Sequence, residues 1–184
     1  MTRAWLKAYR APSAITGTAL LCVVSLLTTQ STIRMGSGVP VRTTWFMLLG
    51  IVVLSSLPLY PSFGLLEQTF ARARLNRSGR AAVAGGLVAT AAAVVGAFAG
   101  TMTVIIWFIL LAALSLLGAV ATADKSWAVV FLVGGGTILF DHMDLRSPVS
   151  NAMDTVGLQT AIFAYALAWL VFVLLPGPES LTTS

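Results

Sequence analysis

Six apolar runs divided by short polar stretches make up most of this chain. A helix that crosses a bilayer needs roughly 20 mostly apolar residues, within a range of about 17 to 25. On that ruler the runs are 12–30 (PSAITGTALLCVVSLLTTQ), 44–60 (TWFMLLGIVVLSSLPLY), 81–99 (AAVAGGLVATAAAVVGAFA), 102–121 (MTVIIWFILLAALSLLGAVA), 126–140 (SWAVVFLVGGGTILF) and 159–175 (QTAIFAYALAWLVFVLL). The pattern predicts six spanning helices and no strand. Gly100 and Thr101 leave room only for a tight hairpin between the third and fourth. The fifth run is short and contains Gly134, Gly135 and Gly136, so it is predicted to tilt, break or thin there. Pro58 and Pro61 stop or kink the second helix as it leaves the bilayer.

Two polar stretches keep a helical rhythm of their own. In residues 1–11 (MTRAWLKAYRA), Trp5 and Tyr9 stand four apart, with Lys7 and Arg10 elsewhere on the wheel. That arrangement suits a short interfacial helix, with rings at headgroup depth and cations in water. Basic residues before an apolar run also suit a signal peptide, but no small-residue cleavage site follows, so the stretch is read as mature sequence. In residues 63–80, Phe63, Leu66, Phe70 and Ala73 form an apolar stripe, and Arg74, Arg77 and Arg80 follow at steps of three. The segment is predicted to be an amphipathic helix that stops between Asn76 and Gly79. Either it lies on anionic lipid or its apolar ridge and flanking cations dock a soluble partner.

Composition agrees with an all-α, polytopic membrane protein. The chain has 184 residues, 58% hydrophobic and only 9% charged, with mean hydropathy +0.92. Soluble domains carry about 25% charged residues. The net charge of +5 does not signal nucleic acid, because the basic residues sit at the ends of apolar runs. With the N-terminus inside, the inner segments hold Arg3, Lys7, Arg10, Arg72, Arg74, Arg77, Arg80 and Lys125. The outer loops hold Arg34, Arg42 and Arg146. This bias predicts a multi-pass protein with both termini in the cytoplasm. Nine arginines against two lysines, with abundant Ala, Gly and Val, suit a GC-rich bacterial genome.

The chemistry is mostly exclusion. No GxxxxGK[ST] phosphate loop, HExxH or GxSxG occurs, and no lysine lies inside a run. His142 is the single histidine and Cys22 the single cysteine, so a bis-histidine haem needs a partner and a disulfide within the chain is excluded. The runs lack the Asp, Glu or His that ion-driven transporters place at membrane depth. No catalytic set exists, so the chain is not expected to be an enzyme. Asp141, His142 and Asp144 could ligate a metal. The favoured reading of 141–158 is a re-entrant or interfacial helix pair, its apolar side formed by Met143, Leu145, Val149, Met153 and Val156 and broken at Pro148. Gly96 and Gly100, with Gly86 four before Thr90, allow close helix approach. That spacing serves a dimer seam or ordinary packing within one bundle, and the second is favoured. Trp45, Trp107 and Trp127 are read as belt anchors, while Trp169 lies inside the last run.

The order of parts resembles the permease subunit of an ABC-2-type (type V) ABC transporter. RAWLKAYRAPS is similar to that family's N-terminal elbow helix, and residues 63–80 to its coupling helix. LRSPVSNAM is similar to the Asn-Pro stretch of its outer re-entrant helices, with Arg146-Ser147 in place of the usual polar-Asn pair. The resemblance covers most of the chain and rests on topology. It implies a membrane-spanning exporter subunit in a bacterial cell membrane, paired with a second copy or a related permease. A separate ABC-type ATPase would bind ATP and Mg, with no cofactor in this chain. The coupling helix implied to dock that ATPase comprises Phe63, Leu66, Glu67, Phe70, Arg72, Arg74, Arg77 and Arg80. The alternative is a non-catalytic structural or accessory subunit of a larger membrane complex.

Overall fold

The computed structural model describes residues 10–34, 40–60, 73–99, 102–122, 125–143 and 155–175. They are mostly helical. Helix α1 is Ala11–Leu27, α2 is Thr43–Ser56, α3 is Ala73–Ala99, α4 is Met102–Thr122 and α6 is Leu158–Leu174. Helix α5 is composite: an α turn at Ser126–Val130, a π stretch at Phe131–Gly135, and an α segment at Gly136–His142. Two of these helices are long and apolar enough to cross a membrane. They are the Leu75–Phe98 stretch of α3, with mean hydropathy 2.0, and α4, with mean hydropathy 2.7. At about 1.5 Å per residue, α4 is about 32 Å long and α3 about 40 Å.

Three boundaries have clear causes. Arg10, with φ 54°, turns the chain into α1, and Pro12 follows in the first turn, where its missing N–H costs nothing. Helix α2 tightens into a 3-10 turn at Leu57–Leu59, because Pro58 cannot continue the i to i−4 ladder. The π stretch falls on the glycine run foreseen as a weak point. Gly134 lies against Leu49 and Leu111, while Gly135 and Gly136 face open space. One wider turn lets the backbone approach α2 there without interrupting the helix.

The helices alternate in direction. Gly17 meets Leu54 and Gly50 meets Leu21, so α1 and α2 are antiparallel. Gly96 meets Ile105 across the α3–α4 pair, and Gly118 meets Ser126 across α4–α5. Helix α6 runs back along α3, where Tyr165 reaches Gly85. Gly96 is therefore a packing position inside the bundle. Thr90, paired with Gly86 in the sequence pattern, bonds only its own helix, Oγ1 to the Gly86 carbonyl at 2.8 Å.

Helices α3 and α4 sit centrally. The small side chains of α3 at 81, 84, 88, 91, 92 and 95 are buried along one face, so its neighbours come close. One core cluster joins α2, α3, α4 and α5 around Ile51, Phe108 and Leu111. A second joins the 3-10 turn, α3, α4 and α6 around Leu59, Leu116 and Phe172.

Two features depart from the sequence reading. A two-residue antiparallel pair, β1 (Thr32–Ile33) with β2 (Val41–Arg42), closes the α1–α2 connection. Trp107 is not a belt residue. It is 6% exposed in the core, edge-on to Trp45 with ring centroids 5.6 Å apart. The belt reading failed because Trp107 faces α2 from one turn inside α4. The elbow at 1–9, the Gly100-Thr101 hairpin and most of 141–158 lie outside the described residues.

Candidate functional site

The functional reading rests on the basic stretch before the third run. Phe63, Leu66, Glu67, Phe70 and Arg72 lie outside the described residues. Arg74 belongs to α3. Arg77 and Arg80 stand on α3 as well, and the expected stop at Asn76–Gly79 does not occur: Asn76, Ser78 and Gly79 are helical within Ala73–Ala99. Residues 73–80 are thus the first two turns of the third long helix rather than the tail of a separate one. Tertiary packing outweighs the low helix propensity of Asn and Gly, worth up to about 1 kcal/mol each. Arg80 and Ala81, just beyond them, are 3% and 0% exposed.

That packing comes from the end of α6. Arg80 carries its guanidinium carbon 5.7 Å from the ring centroid of Phe172. The arginine stem lies along apolar surface while the charged plane meets the negative face of the ring. One turn earlier, Arg77 donates from Nη1 to the carbonyl oxygen of Leu175, the C-cap of α6. The last carbonyls of a helix lack partners within it and carry its partial negative charge. A cation donating there meets both needs. The step of three in Arg77 and Arg80 therefore marks one face of α3 turned toward the C-terminal end of α6. Arg80 is buried against that helix end.

Phe172 and Leu175 were not legible as partners of these arginines. Only the antiparallel return of α6 brings residues 77 and 175 together. The available signal was a basic cluster and a helix C-terminus on the same predicted side of the membrane. A second polar tie lies near the same end: the hydroxyls of Tyr60 and Ser126 are hydrogen-bonded to each other in a buried position. It joins the exit of α2 to the start of α5.

Asp141 and His142 lie in the last turn of α5, and Asp144 lies outside the described residues. Among the described residues no group of His, Cys, Asp and Glu is placed to hold a metal ion. Charged residues among those described occur near helix ends or in connections, never at the middle of the bundle. No protein-family model, curated protein or solved structure matches this chain.

Proposed function

We propose that the chain is a six-span subunit of a bacterial cell membrane with both termini in the cytoplasm, and that it serves as the permease of an ATP-driven ABC exporter. The observation that carries the membrane reading is the polarity of the bundle surface. Leu20, Val23 and Leu27 on α1, Leu132, Leu139 and Phe140 on α5, and Phe163, Leu167 and Leu174 on α6 all point outward, each about half exposed or more. Large apolar side chains exposed in this number on three helices suit lipid and not water. Four of the six helices are shorter than α3 and α4, and tilt or local bilayer thinning accommodates them.

The ATPase part of the reading rests on α3. One uninterrupted helix joins the basic stretch to Phe98 at the far end, about 40 Å away. Arg77 and Arg80 fasten its first turns to the end of α6. Force applied to the segment before Ala73 would move α3 and α6 together as a rigid pair. The empty helix interiors supply no ion-binding group for a gradient-driven cycle, so energy would come from a partner that binds ATP and Mg. Docking then falls to residues 63–74, which include the basic Arg72 and Arg74.

Purification in mild detergent followed by identification of accompanying proteins tests this. An ABC-type ATPase is expected with the wild-type chain and is expected to be lost in the Arg72→Glu, Arg74→Glu double variant. Undiminished ATPase recovery and activity in that variant would remove this segment as the coupler. A second reading is favoured by the filled core, where Ile51, Phe108 and Leu116 are at most 1% exposed. It makes the chain an accessory subunit without its own transport path, which would co-purify with other membrane proteins and no ATPase.

A further inference from the structure

At the end of the bundle opposite Arg80, the α1–α2 connection and the α3–α4 pair line an open cavity of about 530 Å³. Small-molecule sites commonly span about 300 to 1,000 Å³. Its wall is chemically divided. Among its described lining residues Arg42 of β2 is the one cation, and none is a carboxylate. No hydrogen bond or ion pair engages the Arg42 guanidinium among the described residues. Gln30, Thr44 and Thr103 add neutral donors and acceptors, while Trp45 and Phe98 supply apolar rings.

The wall is also held in place. Thr43 gives both its backbone N–H and its Oγ1 hydroxyl to the Ser31 carbonyl, each at 3.0 Å. Arg42 is registered opposite Thr32 in the β pair. Trp45 is braced edge-on by the buried Trp107, with an interplanar angle of 72°. Phe98, by contrast, is 70% exposed at the rim. An exposed cation on a registered strand, beside a braced and a rim aromatic, is a recognition surface for a molecule with one charged end and one apolar end. Arg binds carboxylate and phosphate through its planar donor fork.

We propose that this cavity binds an amphiphile with an anionic carboxylate or phosphate head, placed on Arg42, with its apolar portion along Trp45 and Phe98. The site lies within one chain, so it goes beyond the permease reading and requires neither a second subunit nor an ATPase. The head group can belong to a bilayer lipid or to an amphiphile arriving from solution.

The full chain in phosphatidylcholine nanodiscs, titrated with 12-bromododecyl phosphate, tests this through quenching of tryptophan fluorescence. A saturable component is expected, absent in empty-disc controls and with 12-bromododecyltrimethylammonium, and lost in Trp45→Phe. Arg42→Gln is expected to weaken it about tenfold, the scale of one charge-assisted contact, and Arg42→Lys to restore part of it. Thr103→Phe, at an exposed position, narrows the cavity without altering the charge and should weaken the component. Competition by phosphatidylglycerol in the disc would support a lipid as occupant, and no competition a soluble amphiphile. Equal quenching by the cationic probe, or unchanged binding in both Arg42→Gln and Thr103→Phe, would overturn the proposal. The ATPase co-purification result does not bear on any of these outcomes.

Discussion

Arg80 of α3 is buried with its guanidinium 5.7 Å from the ring centroid of Phe172, half a turn before the end of α6. A desolvated cation–π contact of this kind contributes about 2 kcal/mol. Arg80→Met keeps the stem and removes the charge. Phe172→Leu keeps an apolar side chain and removes the π face. Each variant is expected to lower stability, and a double-mutant cycle is expected to show coupling of about 1 to 2 kcal/mol. Denaturation in detergent micelles measures it. Strictly additive losses would mean that the ring only fills space.

Arg77 acts on the same helix end by a different route. Its donation to the Leu175 carbonyl caps α6 from another element. Arg77→Gln should loosen the last turn of α6, with faster amide hydrogen exchange through Val171–Leu175 and a loss of about 0.5 to 1 kcal/mol. Arg77→Lys keeps a cationic donor and should retain most of the protection. Because charge reversal at this position breaks an internal tie, a lost partner there would not by itself establish docking. The docking test therefore uses Arg72 and Arg74.

The apolar runs located the described helices, but α3 begins at Ala73 where its run began at 81, and the physics explains which details escaped. Runs at 102–121 and 159–175 became helices at Met102–Thr122 and Leu158–Leu174, because a long apolar stretch satisfies its backbone hydrogen bonds most simply within itself. Asn76 to Gly79 misled because local propensity ignores what α6 brings against that turn. Trp107 misled because distance from a run's end says nothing of which face meets α2. The β1–β2 pair has only two residues per strand, too few to leave an alternation in the sequence. At the candidate site the charges were legible, but their partners Phe172 and Leu175 lie about 90 or more positions away. Arg42, read only as an orientation marker, gained a setting once α1–α2 and α3–α4 closed around it.

The three glycines of α5 should separate by environment. A methyl group on Gly134 would collide with Leu49, itself 3% exposed, and crowd Leu111. Gly134→Ala is expected to cost about 1 to 3 kcal/mol, since a filled core yields little. Gly135 and Gly136 have no heavy atom within 4 Å of the position a Cβ would take. Gly135→Ala and Gly136→Ala should be neutral or raise stability by up to about 1 kcal/mol through helix propensity. Thermal melts of the three variants side by side decide it. A similar loss at all three would mean that flexibility of the π turn matters more than space.

Helix α1 carries two buried hydroxyls whose removal should do no harm. Thr18 is 4% exposed and Ser25 is fully buried, and neither hydroxyl oxygen has a hydrogen-bond partner among the described residues. Burying such a group costs about 1 to 3 kcal/mol when no bond compensates. Thr18→Val keeps the branched shape and Ser25→Ala removes only the oxygen. Both are expected to hold or raise the melting temperature in detergent, with Thr18→Val the larger gain because its methyl also fills the vacated space. In Ser25→Ala the gain is offset by the small void left behind. A marked loss of stability in Thr18→Val would show that its hydroxyl is bonded in the folded protein. The hydroxyl would then belong to a polar contact that holds α1 in place.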